Sequence, residues 1–286
     1  IIVGAGHLVI LDTSPWPDAT ESKPAKSKPG PREPREGKLE ESLVERPTHE
    51  QGIPIRWFKA ERLDIDRGKA RYKGSGGKAL TIEQIALEHY SQLGYRGTWS
   101  ENEYWWAVMA LLFWDVIFAR LPGVFTPEFG EFPSAMQDMP LDLFSADFYP
   151  RRKELIEERI AALTQPKLFG LRKANIEAQL ESAFRRHKGK PCRPIDWTRF
   201  ARVDSLIMAA QVLTDRQLIQ ILHRLLVNFS ENRSGLPDLF LARNGKPLFS
   251  EVKSERERVA DHQIDWLLHL RDEVDVPVEV CRVVPE

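Results

Sequence analysis

The sequence predicts an α/β fold in which a helical region precedes a small C-terminal sheet, and three observations lead to this prediction. Apolar residues make up 42% of the 286-residue chain, which is enough to build a hydrophobic core. From residue 80 to residue 229, apolar residues recur at helical spacing behind residues that cap helices. After residue 235 the pattern changes to two short strands joined by Asn244-Gly245, then one helix and a last strand.

The composition excludes several classes of protein. The formal net charge is −1, so the chain is not a uniformly basic protein that coats nucleic acid, although local basic patches stay open. Cys192 and Cys281 lie far apart and outside any CxxC pair. This excludes a disulfide framework, argues against a zinc site, and leads us to expect two free thiols in a reducing compartment. The most apolar stretch, residues 104–119, is interrupted by Asp115 and predicts a buried helix, not a membrane span.

Changes in composition divide the chain into four segments. Residues 1–12 alternate around two glycines and are interpreted as the end of a domain further upstream; the third glycine of a dinucleotide-binding turn is missing. Residues 13–52 are rich in Pro, Lys, Glu and Ser, which predicts a flexible linker. Residues 53–79 alternate loosely and contain a glycine-rich stretch, so we expect a small hairpin or an irregular lead-in. Residues 80–286 form the main domain.

Capping residues mark the first two helices of this domain. Thr81 is placed to cap a helix that continues to about Leu93. Ser100, with Glu103 three residues later, predicts a capping box and a helix that runs to about Arg120. Because this second helix is apolar nearly all round, it should lie at the centre of the fold.

Three further helices are predicted before the C-terminal strands. Two amphipathic helices are expected at residues 150–164 and 173–186, and a third should start at Thr214, which forms a capping box with Gln217. A basic loop follows the second of these helices. It either contacts the DNA backbone or is simply solvated, and its candidate DNA-binding residues are Lys188, Lys190 and Arg193.

The C-terminal hairpin brings two carboxylates together. A two-residue Asn244-Gly245 turn fixes the register of the two strands, and this register places Asp238 opposite Glu251. Directly paired residues share one face of a sheet, and Lys253 lies on that face because it follows Glu251 by two residues.

This arrangement predicts metal-dependent hydrolysis of a phosphodiester. Facing carboxylates repel each other unless a divalent cation lies between them, and carboxylate oxygens suit Mg²⁺ or Mn²⁺. Lys253 could then orient a water molecule for attack on phosphorus. The alternative is a surface hairpin in which Asp238, after Pro237, merely begins a strand.

The C-terminal motifs resemble a known family. They run in the order GLPDL at 235–239, EVK at 251–253, Gln263 with Trp266, and PVEVCRV at 277–283. In this order they resemble the VRR-NUC nuclease domain, a branch of the PD-(D/E)xK nucleases. The resemblance implies a restriction-endonuclease-like α/β core with a preceding helical region.

Upstream motifs extend the resemblance to the C-terminal half of the Fanconi-associated nuclease family. These motifs are Glu101, residues 111–115, 140–143, 148–152 and 197–200, and the helix from Thr214. Together with the C-terminal motifs they cover the chain from about residue 80 to its end, and they occur in the same order as in the family.

The resemblance implies roles for individual residues. The implied metal ligands are Asp238, Glu251, the main-chain carbonyl of Val252, and Glu101. Lys253 would position the attacking water, and Gln263 would act from the helix beside the site. For Glu101 the sequence alone indicates only a carboxylate in the first turn of a helix, where its negative charge interacts favourably with the helix dipole.

The sequence departs from the family in the region that holds a 5′ phosphate. Ser230 and His262 stand at positions that are basic in the family, whereas Arg233 is retained, so Arg233 and His262 are the remaining candidate DNA contacts there. The turn after the lysine is Ser254-Glu255-Arg256 instead of a Gly-Pro-Gly-like turn. The metal site is therefore expected to be intact and the grip on a 5′ phosphate to be weak.

By this resemblance we expect a Mg²⁺- or Mn²⁺-dependent deoxyribonuclease that acts as a monomer on branched or flapped DNA. The activity would be 5′-flap endonuclease or 5′–3′ exonuclease in interstrand-crosslink repair, in the cytoplasm with the nucleoid of a bacterium or in a eukaryotic nucleus. Two alternatives are a Holliday-junction resolvase that acts as a dimer and a non-catalytic DNA-binding module. The long helical region argues against the first, and the intact Asp238, Glu251 and Lys253 argue against the second.

Overall fold

The computed structural model of the chain describes residues 51–66, 69–125, 137–164 and 176–286. The predictions for residues 1–12 and for nearly all of 13–52 lie outside these ranges. In the described part of the chain, we find no helix with both the length and the apolar character that crossing a bilayer requires.

The described structure is α/β, as predicted, and is organised around a mixed five-stranded sheet in the order β1-β8-β7-β6-β5. Strands β1, β8 and β7 run parallel, whereas β6 pairs antiparallel with both β7 and β5. The strands of this sheet are β1 (Ile55–Ala60), β5 (Arg96–Trp99), β6 (Leu239–Arg243), β7 (Lys246–Ser254) and β8 (Val278–Pro285).

The predicted hairpin register is confirmed. Strands β6 and β7 pair Arg243 with Lys246 and Leu239 with Ser250, and one further step along the ladder sets Asp238 opposite Glu251. Asn244 and Gly245 both have positive φ, at 53° and 74°. A two-residue turn with this geometry matches the twist of the strands that it joins.

The lead-in at residues 53–79 contributes to two sheets. Strand β1 pairs in parallel with β8 at the edge of the main sheet, so it is not part of a local hairpin. The strands that follow form a small separate antiparallel sheet, namely β2 (Arg62–Asp66), β3 (Lys69–Lys73) and β4 (Ala79–Leu80).

Helices cover both faces of the main sheet. They are α1 (Ile82–Gln92), α2 (Glu103–Leu112), α3 (Trp114–Ile117), α4 (Phe148–Thr164), α5 (Ile176–His187), α6 (Met208–Val212), α7 (Asp215–Val227), α8 (Phe229–Asn232) and α9 (Asp261–Asp272). The caps predicted for α1 and α7 are confirmed, because Thr81 and Thr214 each accept a hydrogen bond from the backbone three residues later.

The capping box predicted at Ser100 is wrong. Helix α2 begins at Glu103 and the capping position is Asn102, whose side chain makes no capping hydrogen bond. Ser100 instead continues the pairing of β5 with β6: its backbone N–H donates to the carbonyl of Asp238 over 2.8 Å, and its hydroxyl donates to Pro237. The N–H and hydroxyl of Ser100 therefore make tertiary hydrogen bonds in place of the helix cap that the local pattern predicts.

Helix α2 lies at the centre of the core, as its composition predicts. Eight of its ten residues are buried, and Trp105 packs against Phe240 and Phe249 of the sheet. The predicted continuation to Arg120 is interrupted at Phe113, after which the short helix α3 follows. This central helix holds the segment before it, residues 100–102, against the start of β6.

Candidate active site

Two neighbouring strands bring Asp238, Glu251 and Lys253 together. Asp238 immediately precedes β6, and the other two residues lie on one face of β7. Because Ser100 is paired with Asp238 through the backbone, the next residue, Glu101, is also held beside this site.

Hydrogen bonds fix the orientation of both carboxylates. The ammonium of Lys253 donates to Oε1 of Glu251 over 2.7 Å, and Nε2 of Gln263 donates to the same oxygen over 2.5 Å. The backbone N–H of Val252 donates to Oδ2 of Asp238 over 2.8 Å. Gln263 is itself fixed, since its Oε1 accepts from the backbone N–H of Ala260 at the start of α9.

One oxygen of Glu251 is left without a partner within the described structure. Glu251 is fully buried, and its Oε2 makes no hydrogen bond. An unpaired buried carboxylate oxygen costs free energy, because it loses its hydration and gains nothing in return. Such an oxygen indicates a position where a ligand that is part of the working enzyme would bind.

The surroundings of the site disfavour the ionised form of both carboxyl groups when no cation is bound. Burial raises the pKa of Asp238 to about 6, and the nearby charge of Glu101 adds to this rise, although the hydrogen bond from Val252 opposes it. Burial, followed by the charge of Asp238, raises the pKa of Glu251 well above its ordinary value. Burial is the largest single influence on Lys253 and lowers its pKa. The charge and hydrogen bond of Glu251, with the charges of Glu257 and Asp238, together outweigh burial and raise the pKa above its ordinary value.

These residues fit a divalent cation with oxygen ligands. Asp238 and Glu251 face each other with raised pKa values, and a cation between them would offset the repulsion that raises those values. In the described ranges no three His, Cys, Asp or Glu side chains converge into a complete metal cluster. Mg²⁺ does not need one, because it normally keeps several waters and shares phosphate oxygens of its substrate.

Two of the candidate DNA contacts lie on the segments that lead to Asp238 and to Gln263. Gly235 has a φ of +96°, and a side chain there would meet the backbone carbonyl of His262 at 2.5 Å. The close approach of these two segments places Arg233 and His262, both exposed, near Gln263 at the start of α9. The guanidinium of Arg233 lies over the ring of Phe144.

The basic loop after α5 makes local contacts instead. Lys188 donates to the carbonyl of Ala201, Arg193 pairs with Asp138, and the carbonyl of Lys190 accepts from Trp197. In the part of the chain that the structure describes, none of these contacts reaches the carboxylates. A role for this loop in DNA binding stays a prediction.

The structure adds residues that the sequence did not single out. Arg282 is fully buried and donates to the carbonyls of Ser254 and Glu257, while the carboxylate of Glu257 lies 3.6 Å from the ammonium of Lys253. These contacts shape the turn after Lys253. A fully buried arginine on a strand is a signal of such a role, but its partners are distant in sequence.

Comparison with known proteins identifies the domain. Residues 171–285 match the VRR-NUC domain family. The chain carries a VRR-NUC domain. It is also similar to Fanconi-associated nuclease 1 homologues: 34% identical over 78% of this chain to the protein of Oryza sativa subsp. japonica, and 32% identical over 82% of this chain to that of Arabidopsis thaliana. The chain spans only 22% and 25% of the length of these two relatives.

Solved structures support the same family relationship. The crystal structure of paFAN1 bound to 2nt 5′-flap DNA with a gap matches with a TM-score of 0.62 and 28% identity, over 85% of this chain and 42% of that chain. A second structure, of paFAN1 with a 1nt 5′ flap, matches with a TM-score of 0.63 and 25% identity. The predicted relationship to Fanconi-associated nucleases is therefore confirmed, and so is the predicted nuclease fold.

The turn after Lys253 is built differently in this VRR-NUC domain from the glycine-rich turn expected from the family resemblance. Residues 254–256 read Ser-Glu-Arg, and the turn is closed by hydrogen bonds from Ser254 to the carboxylate of Glu257. Arg282 then holds the carbonyl side of the same turn. Side-chain contacts thus provide the rigidity of this turn.

The raised pKa of Asp238 predicts a stability change in the metal-free protein. Asp238 has a pKa of about 6 in the folded chain and 3.8 ordinarily, so ionisation costs stability as the pH rises between these values, and the full cost applies above about 6. Asp238→Asn removes the charge but keeps an oxygen for Val252. We expect it to raise the free energy of unfolding in EDTA at about pH 8 by about 1–3 kcal/mol.

Denaturant unfolding at several pH values measures this effect. The gain should shrink steadily as the pH falls from about 7 towards 4, because the wild-type carboxyl is then protonated too. Asp204→Asn, at an exposed aspartate on the surface, is the control and should change little at any pH. A gain that is independent of pH, or a loss at pH 8, would show that the Asp238 carboxylate is not strained by its surroundings.

Proposed function

We propose that this chain is a Mg²⁺- or Mn²⁺-dependent nuclease that hydrolyses phosphodiesters of flapped DNA at Asp238, Glu251 and Lys253. The observation that carries the proposal is a buried carboxylate, Glu251, that faces the half-buried carboxylate of Asp238 beside a charged lysine, within a VRR-NUC domain. A non-catalytic DNA-binding module would have no reason to bear the free-energy cost of this arrangement.

Each residue has a distinct task in the proposed reaction. The cation would be held by Asp238, Glu251, the main-chain carbonyl of Val252 and Glu101. Bound there, a divalent cation would make a water molecule more acidic and stabilise negative charge on the phosphate. Gln263 and Lys253 both hold Oε1 of Glu251, which leaves Oε2 free to act as a ligand.

Lys253 is the residue best placed to position the nucleophile. Lys253 as a whole is only 6% exposed, and its ammonium donates to Glu251 on one side. An ammonium carries three donors, so hydrogens remain for a water molecule or a phosphate oxygen. Its positive charge would also stabilise the negative charge that develops as water attacks phosphorus.

The proposed substrate is branched DNA with a 5′ flap, cut in repair of interstrand crosslinks. The support comes from the relatives, which are named Fanconi-associated nucleases, and from the similar solved structures, which hold 5′-flap DNA. Because Ser230 and His262 replace basic residues of the 5′-phosphate pocket, flaps with a 5′ phosphate and with a 5′ hydroxyl should be cut at similar rates.

Assembly and substrate preference test this proposal together. The helices α2 to α8 separate β5 from β6 in sequence, and α2 packs against the sheet through Trp105. A minimal dimeric resolvase would lack this helical region. We therefore expect a monomer that cuts one strand of a 5′ flap near its junction and does not resolve a four-way junction symmetrically.

Light scattering measures the oligomeric state, and mapping of the cut positions on both substrates measures the substrate preference. The four-way junction serves as the matched substrate, since it offers branched duplex DNA without a flap. A stable dimer that makes paired, symmetric nicks in the four-way junction would replace this proposal with a resolvase activity.

A further inference from the structure

Trp57 is an aromatic side chain that lies in line with the candidate catalytic residues and that the proposed reaction leaves unused. It is on the edge strand β1 and is 43% exposed, whereas the next residue, Phe58, is buried on the other face of the sheet. Its backbone pairs with Arg282 of β8, and Arg282 pairs with Lys253 of β7. Paired residues of parallel strands point to the same face, so Trp57 shares the face that carries Lys253 and Glu251.

The distance from Trp57 to the site suits a nucleic-acid strand. Neighbouring strands lie about 4.8 Å apart, so Trp57 is about 10 Å from Lys253 across two strand spacings. Stacked DNA advances about 3.4 Å per nucleotide on one strand. A strand whose phosphate lies at Lys253 would therefore bring a base to Trp57 within about three nucleotides of the cut, or fewer if it is extended.

The support beneath Trp57 is rigid and positively charged. The guanidinium carbon of Arg282 lies 6.0 Å from the centre of the indole ring, and the side chain of Arg282 is fixed by the carbonyls of the turn after Lys253. That turn contains Arg256 and leads to Arg258, both exposed, and Lys59 is exposed two residues beyond Trp57. Exposed aromatic rings with basic neighbours are the usual platform for unpaired bases.

We propose that Trp57 stacks on an unpaired nucleobase within three nucleotides of the scissile phosphate and so holds the single strand at the active site. This inference rests on the proposed function and assigns a base-binding position to the same site. The interaction is with the flat face of the base, so it does not select one base over another.

A double-mutant cycle between protein and DNA tests the proposal. Trp57→Leu keeps an apolar side chain on the edge strand but has no aromatic face, whereas Trp57→Phe keeps a smaller one. Binding to a fluorescent 5′ flap is measured in Ca²⁺ with the Asp238→Asn background, so that no cleavage is needed. The flap is prepared intact and with a single abasic site at each of the three positions on either side of the expected cut.

We expect Trp57→Leu to weaken binding of the intact flap about tenfold, and Trp57→Phe to weaken it less. One abasic position should weaken binding by the Trp57 protein by a similar factor and leave binding by Trp57→Leu unchanged. Trp99→Leu is the matched control, because Trp99 is also 43% exposed but lies on the other edge strand, paired with Leu239 on the opposite face. It should show no such coupling.

Each other outcome overturns the proposal in a distinguishable way. Equal binding by Trp57→Leu and its parent, or losses that are the same on every abasic flap, would show that Trp57 does not stack on a base. The same loss from Trp99→Leu would indicate a general effect of removing an exposed indole. Failure of the parent protein to bind any flap would contradict the proposed function itself.

Discussion

Replacing Asp238 with Asn is expected to abolish cleavage while the fold and DNA binding stay intact. The substitution removes one of the two charges that face the proposed cation, but the side chain keeps its size and can still accept from the backbone of Val252. Charge stabilisation by a bound metal is worth several kcal/mol in the transition state, which corresponds to at least about a 10³-fold loss in rate. Single-turnover cleavage of a 5′ flap measures this loss.

Stability distinguishes this result from simple unfolding. The same substitution should make the metal-free protein more stable, since it removes a strained carboxylate. Loss of activity together with a gain in stability is the signature of a functional residue. Full activity of Asp238→Asn in the presence of Mg²⁺ would rule out the proposed site.

The second large effect is expected at Lys253. Replacing it with Met keeps the length of the side chain and removes the ammonium that would position water. We expect the cleavage rate at saturating metal to fall by about 10²–10⁴, the usual value of one positioned group. Because Lys253 also donates to Glu251, the variant should be assayed over a range of Mn²⁺ concentrations, so that a loss of metal affinity is separated from a loss in rate.

Lys246→Met is the matched control for this experiment. Lys246 is on the same strand, β7, but it is exposed and lies at the other end, beside the hairpin turn. It should retain nearly full activity. A loss of less than about threefold in Lys253→Met, far below the expected range, would show that Lys253 has only a structural role.

Local sequence was sufficient to predict the geometry of the hairpin. The Asn244-Gly245 turn admits only one pairing of the flanking strands, and a strand has a strict period of two residues. These two constraints were enough to place Asp238 opposite Glu251 and to put Lys253 on the same face. The capping boxes at Thr81 and Thr214 were predictable for the same reason, because each depends on residues within one turn of helix.

The remaining features depend on partners that are distant in sequence. Ser100 matched the pattern of a cap, yet its backbone pairs with Asp238, and no local rule ranks these two possibilities. Strand β1 pairs in parallel with β8, at the far end of the chain, and the alternation of apolar residues in β1 does not name its partner. Gln263 was indicated by family resemblance, but its contact with Glu251 depends on how α9 packs.

Dependence of flap cleavage on divalent cations tests the central claim most directly. The purified chain is incubated with a labelled 5′ flap in EDTA and in increasing concentrations of Mg²⁺ or Mn²⁺, with Asp238→Asn prepared in parallel. We predict no cutting in EDTA, saturable activation by either cation, and no activation of the variant. Cleavage that continues undiminished in EDTA, or that is the same for the wild-type chain and the variant, would contradict a metal-dependent nuclease site at Asp238 and Glu251.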